Sequence, residues 1–150
     1  MKIPEGYETT AYIAYDKKAI YVGAKLLHPN PSLIPKEFSE RDNIWDVNAE
    51  TFFVSINTYN DDLNFFSFQV TSAGTIGDSY SSGPIKGADY NYDTVYDAKI
   101  KHVANGWTLE MIIPYSAIRF PKKDPQLWGI NFGRKVEEFD ETYVLSLIHI

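Results

Sequence analysis

Asp89-x-Asn91-x-Asp93 sets three oxygen-bearing side chains at alternate positions, the way a calcium loop offers its ligands. Thr94 stands where that loop needs glycine, and Ile100 where it needs a closing glutamate, so no EF-hand is predicted. Asn60-Asp61-Asp62 and the trio Asp42, Asp46 and Glu50 are further oxygen clusters. Calcium is the cofactor these spacings admit, although turns use the same residues without metal. Glu50 and Glu110 each sit on a strand among apolar neighbours. A glycosidase needs two carboxylates held across one sugar, and spacing in sequence does not supply that distance. Hydrogen-bonded or ion-paired carboxylates are the plainer expectation. His28, His102 and His149 are scattered and suggest neither a metal centre nor a triad. The chain has no Gly-x-Ser-x-Gly elbow, no phosphate-binding loop and no His-Glu-x-x-His. It also has no cysteine, which excludes disulfides, thiolate zinc sites and cysteine nucleophiles.

A different chemistry fits the aromatic residues. Eleven Tyr, nine Phe and three Trp make up 15% of the chain, far more than a core of ordinary aliphatics requires. Sugar rings present apolar C–H faces edged with hydroxyls. They suit flat aromatic side chains flanked by amides or carboxylates. Phe53, Tyr59 and Phe65 beside Asn57 and Gln69 offer that combination on one strand face, and Tyr80, Tyr90 and Tyr92 offer it at an edge. The same face is equally suited to being covered by protein.

The net charge is −6, which disfavours a phosphate backbone, so no nucleic-acid partner is expected. No apolar run is long enough for a membrane-spanning helix. One hundred and fifty residues suit a single domain with a core of its own.

The elements that must position these residues alternate with period two. Residues 10–15 and 19–26 flank Asp16-Lys17-Lys18 as a hairpin, and residues 50–59 and 63–71 flank Asn60-Asp61-Asp62 as another. Phe52, Val54, Ile56, Phe66, Phe68 and Val70 share the core side of the second pair. Residues 95–103 and 107–113 turn on Asn105-Gly106, the strongest hairpin signal in the chain, and residues 127–134 form a further strand. Prolines at 29, 31 and 35 make residues 27–48 a loop, with a helical turn expected over 35–40 and another over 115–118. Gly, Ser, Asp and Tyr predict a long loop over 74–92. Glu137-Glu138-Phe139-Asp140-Glu141 is expected as a solvated acidic stretch. Seven or eight short strands indicate an all-β antiparallel sandwich, immunoglobulin-like or jelly-roll, with little helix.

Several motifs resemble the family 9 carbohydrate-binding module and its relatives. They are Ala19-Ile20-Tyr21-Val22-Gly23 with Arg41-Asp42, then Glu50-x-Phe52-x-Val54-x-Ile56-Asn57-Thr58-Tyr59, then Phe66-x-Phe68-x-Val70. Gly106-Trp107-Thr108-x-Glu110-x-x-Ile113-Pro114 with Ile118-Arg119-Phe120 is the most specific stretch, and Trp128-Gly129-Ile130-Asn131-Phe132-x-Arg134 completes the set. The pattern is most similar to the variant at the N-terminus of large bacterial outer-membrane proteins. The resemblance implies a non-catalytic, glycan-binding sandwich outside the cytoplasm, with an optional calcium, preceding a transmembrane β-barrel; the alternative is a structural or interaction domain that packs on that barrel without binding sugar. Within it, Trp107 and Trp128 are expected in or near the core. Trp45 and the loop tyrosines Tyr90 and Tyr92 are then the expected clamp on a sugar. Arg41 and Arg134 are expected in ion pairs with Asp42, Glu50 or Glu110.

The domain is expected over residues 1–144, as a fragment lacking its first strand. The apolar residues 145–150 are read as an artefactual tail.

Overall fold

The computed structural model describes residues 2–61, 63–83, 88–89 and 93–147. Two antiparallel sheets pack face to face. The four-stranded sheet has the order β1-β2-β8-β7, and the six-stranded sheet β10-β9-β3-β4-β5-β6. The strands are β1 (Thr9–Tyr15), β2 (Ala19–Leu27), β3 (Thr51–Asn57), β4 (Asn64–Thr71) and β5 (Ile76–Ser82), then β6 (Ala88–Asp89), β7 (Asp97–Val103), β8 (Gly106–Pro114), β9 (Gly129–Val136) and β10 (Glu141–Leu147). This is the all-β antiparallel sandwich that the alternation implies. Among the described residues, helix is confined to three 3₁₀ turns, at Pro31–Leu33, Tyr115–Ala117 and Glu137–Phe139.

Local chemistry sets the hairpins. Between β1 and β2, Asp16 Oδ1 accepts the amides of Lys18 (2.7 Å) and Ala19 (2.9 Å), which closes the turn. Between β3 and β4, Asp61 Oδ1 accepts the amides of Leu63 and Asn64, each at 3.0 Å. Between β7 and β8 the turn needs glycine. A Cβ on Gly106 would lie 1.9 Å from the Leu26 carbonyl oxygen, and its φ is +153°.

Period-two alternation places Ile20, Val22, Ala24 and Leu26 of β2 beside Trp107, Leu109, Met111 and Ile113 of β8. Facing them from the other sheet are Phe52, Val54 and Ile56, Phe66, Phe68 and Val70, and Ile130 and Phe132. Each large apolar side chain so buried contributes about 1.5–3 kcal/mol. That gain is what holds the two layers together.

Three local expectations are corrected. The expected loop over 74–92 contains β5 and β6. Its alternation is masked because Asp78 points into the sandwich while Gly77 and Ser79 point out. Arg41 and Thr94 make that buried aspartate tolerable. The helical turn expected over 35–40 is extended backbone. Lys36 bridges Ala49, and Glu37 binds the Asn48 amide through its carboxylate. The acidic stretch 137–141 is only partly solvated. Lys135 Nζ reaches Glu137 (3.1 Å) and Asp140 (3.2 Å), and Glu138 accepts the Tyr7 hydroxyl at 2.6 Å. β10 continues past residue 144, and its Val144, Leu145 and Leu147 pair with Gly133, Phe132 and Ile130.

Candidate functional site

A concavity lies where β1 ends and the segment after β8 crosses the mouth of the sandwich. Ile13, Ile20 and Ile130 form its floor. Tyr15, Tyr115, Phe120 and Trp128 wall it, and Asp124, Pro125 and Gln126 edge it, around a volume of about 390 Å³. The rings contact one another. Centroids of Phe120 and Trp128 are 5.5 Å apart, and Tyr115 lies 6.1 Å from each. Such tilted and edge-to-face packing fixes ring planes without filling the space between them.

Each wall has a local cause. Tyr115 begins the 3₁₀ turn that follows Pro114, and its hydroxyl donates to the Asp16 carbonyl at 2.8 Å. Burial, with the Asp16 and Tyr15 side chains nearby, raises the Tyr115 hydroxyl above the ordinary tyrosine value, so it stays a donor. Gln126 organises the segment between residues 119 and 128. Its amide nitrogen donates to the Pro121 and Lys123 carbonyls, both at 2.7 Å, and its amide oxygen accepts Trp128 Nε1 at 3.0 Å. The Thr58 hydroxyl, just past β3, donates to the Arg119 carbonyl and anchors the same segment. The Asp124 carboxylate and the exposed Tyr15 ring are left at the rim. Flat rings and a few polar edges can take up a small amphipathic ring such as a sugar.

Trp128 was expected in or near the core. It packs against the core cluster on one side while its other side walls the cleft. Trp107 is fully buried and donates to Glu50 Oε2 at 2.8 Å.

The residues expected to bind on the six-stranded sheet fall into three groups. Trp45 and Phe53 meet, with centroids 6.1 Å apart, and Phe65 lies half-buried on the same outward face. Asn57 and Gln69, expected as hydrogen-bonding edges of an open face, are buried instead, at 3% and 2% exposure. Asn57 Oδ1 accepts the Tyr59 amide and Gln69 Nε2 donates to Ser79 Oγ. The cause for Gln69 is the strap over residues 36–49. It lays Ile44 across Gly77, close enough that a Cβ there would sit 2.7 Å from Ile44 Cγ1. Tyr59 is exposed at the hairpin tip, while Tyr90 and Tyr92 lie outside the described residues.

The expected ion pairs divide as follows. Arg134 Nη2 meets Glu50 at 2.9 Å inside the sandwich. Arg41 Nη2 meets Asp78 at 2.8 Å, and its Nε lies 3.1 Å from Asp93 and 3.9 Å from Asp42. Glu110 is exposed on the four-stranded sheet opposite Lys99.

Of the weak calcium ligands, Asp89 lies in β6 and Asn91 outside the described residues. Asp93 joins Asp42 and Asp78 instead, with one oxygen of each within 4.8 Å of the others. The Arg41 guanidinium sits among these three carboxylates and offsets one of their charges.

The aromatic cleft was not foreseen. Its signal was Phe120, Pro121 and Pro125, apolar residues in an otherwise polar connection, followed by Gln126 and Trp128 at alternate positions.

No protein-family model matches the chain, and no curated sequence relative does either. A crystal structure from Bacteroides uniformis ATCC 8492, described as a "putative carbohydrate-binding protein", superimposes with a TM-score of 0.67. The match covers 93% of this chain and 68% of that one at 16% identity, so the likeness is one of fold.

Proposed function

We propose that the chain is a non-catalytic carbohydrate-binding module of the family 9 type, and that it holds its glycan in the cleft walled by Tyr15, Tyr115, Phe120 and Trp128. The observation that carries this reading is the set of four aromatic rings around about 390 Å³, room for a small number of sugar rings. The shared fold with a protein described as carbohydrate-binding supports it, as do the family 9 motifs. A non-catalytic role fits the carboxylates. Glu50 is held by Arg134 and Trp107, Glu110 faces away on the outer sheet surface, and Asp124 is the one carboxylate edging the cleft among the described residues. Glycoside hydrolysis needs a pair. The resemblance of these motifs supports a reading in which the module lies outside the cytoplasm, as part of a longer cell-surface protein.

The test is a glycan array followed by affinity gel electrophoresis. Trp128→Ala and Phe120→Ala are compared with Trp45→Ala and Phe53→Ala. Loss of retardation in the first pair alone is the expected result. Loss confined to the second pair moves the site to the six-stranded face, and no retention on any glycan overturns the reading.

A second reading is favoured by one observation. Tyr15, Phe120 and Leu127 at the cleft, and Val144 and Leu145 on the edge strand β10, are all exposed. A protein partner, such as an outer-membrane barrel following in the parent chain, would cover them. Protection of these residues from hydrogen exchange or labelling only in the longer chain would support this reading.

A further inference from the structure

The outward face of the four-stranded sheet carries a second, chemically different groove. Strand register builds it. Tyr12 of β1, Gly23 of β2, Glu110 of β8 and Lys99 of β7 form one row across the sheet. Thr10, Lys25, Thr108 and Lys101 form the next. The groove along these rows has a volume of about 490 Å³. Gly23 leaves a gap in its floor, and the Tyr12 ring leans beside it, 63% exposed, with Cβ and Cδ2 at 3.9 and 4.0 Å from where a glycine side chain would begin.

Its charge runs against that of the chain. The protein carries a net −6, yet Lys25, Lys99 and Lys101 share this groove and all three are exposed. None of them forms a salt bridge within 4.0 Å among the described residues. Among the described residues Glu110 is the one carboxylate in the groove, and Asp97 of the same face lies outside it. Strand geometry sets the cations about 6.8 Å apart along β7 and about 9.5 Å apart between Lys25 and Lys101. Flexible ammonium groups on a flat surface at that pitch match a chain with a negative charge at regular intervals. They do not match a single compact anion. Tyr12 adds an aromatic face, and Thr108 adds a hydroxyl. The three cations form a small footprint that a thin, flexible polyanion can follow, whereas a rigid duplex would also meet the acidic surface around it.

We propose that this groove binds an acidic polysaccharide, one bearing uronate or sulfate groups, independently of the aromatic cleft. The test is affinity gel electrophoresis at low salt with polygalacturonate, dextran sulfate, neutral dextran or duplex DNA in the gel. The wild-type chain is compared with Lys25→Gln/Lys99→Gln/Lys101→Gln, with Glu110→Gln and with Trp128→Ala, each checked for unchanged circular dichroism. The wild type is expected to be retarded by at least one of the two acidic polysaccharides and not by neutral dextran. The triple variant should lose at least tenfold in affinity, Glu110→Gln should gain severalfold, and Trp128→Ala should be unchanged. Three results overturn the proposal: no retardation by either acidic polysaccharide, equal retardation of the triple variant, or equal retention on DNA. Loss of binding in Trp128→Ala overturns its independence from the cleft. Because the triple variant leaves the cleft intact, failure here is distinct from failure of the cleft reading.

Discussion

Glu50 and Arg134 meet inside the sandwich at 2.9 Å, each 1% exposed, and Trp107 from the opposite sheet donates its indole N–H to the same carboxylate. Arg134 also donates to the Tyr7 carbonyl at 2.9 Å. One polar knot thus ties β8, β9, the start of β3 and the segment before β1.

Breaking either half of the pair leaves an uncompensated buried charge. Glu50→Gln or Arg134→Met is expected to destabilise the fold by about 3–5 kcal/mol in urea denaturation. The double variant Glu50→Leu/Arg134→Met should cost well below the sum of its two single changes. Additive losses would mean the two groups act separately.

The outward face of the six-stranded sheet has its own packing limit. A Cβ on Gly133 would lie 2.0 Å from Cζ of Phe53, whose ring is backed by Trp45. Gly133→Ala is expected to cost about 1–3 kcal/mol through overpacking. In a Phe53→Ala background most of that cost should vanish. A full cost in that background would place the strain in the backbone.

Alkaline stability should report on Tyr7. Its hydroxyl is pushed up to about 12 from 10.0, first by burial and then by its hydrogen bond to Glu138. Below pH 10 both folded and unfolded chains hold this proton. Between pH 10 and about 12 the unfolded chain releases it first, so stability falls as pH rises through that window. Tyr7→Phe keeps the ring against His28 and Phe139 and should make the decline shallower. The measurement is the urea midpoint against pH, and an unchanged slope would remove Tyr7 from the account.

Gln126 touches Trp128 and two loop carbonyls, and it faces the cleft. Gln126→Ala should therefore weaken glycan binding about tenfold, near 1.4 kcal/mol, while the urea midpoint barely moves. Unchanged affinity in titration calorimetry would show that the tryptophan is held by its ring neighbours alone.

The hairpins and the core were legible because period-two alternation and turn chemistry are local. Phe52 to Ile56 and Phe66 to Val70 declare a shared face by spacing alone. β5 was hidden because Asp78 stands between its inward Ile76 and Tyr80, and only partners distant in the chain, Arg41 and Thr94, make that burial acceptable. β10 was hidden behind four acidic residues, whose charge is met by Lys135, by Tyr7 and by a hydrogen bond from Tyr143. The outward aromatic face was legible as a pattern, but the strap that lays Ile44 across it was not. No periodicity tells where a 14-residue connection will lie. The cleft was least legible, since its walls come from β1, the 3₁₀ turn after β8 and the segment before β9.

The way Gln126 closes the segment ahead of β9 has a wider consequence. The hydrogen bonds that aim the Trp128 indole are made within residues 121–128, not to the sheets. The segment behaves as a cassette that carries its own frame. A different sequence of similar length, ending on the same strand, could replace it and change which ligand is recognised while the sandwich beneath folds as before. Only part of the cleft would change in this way, because Tyr15 and Tyr115 tie its other walls to β1 and to the turn after β8.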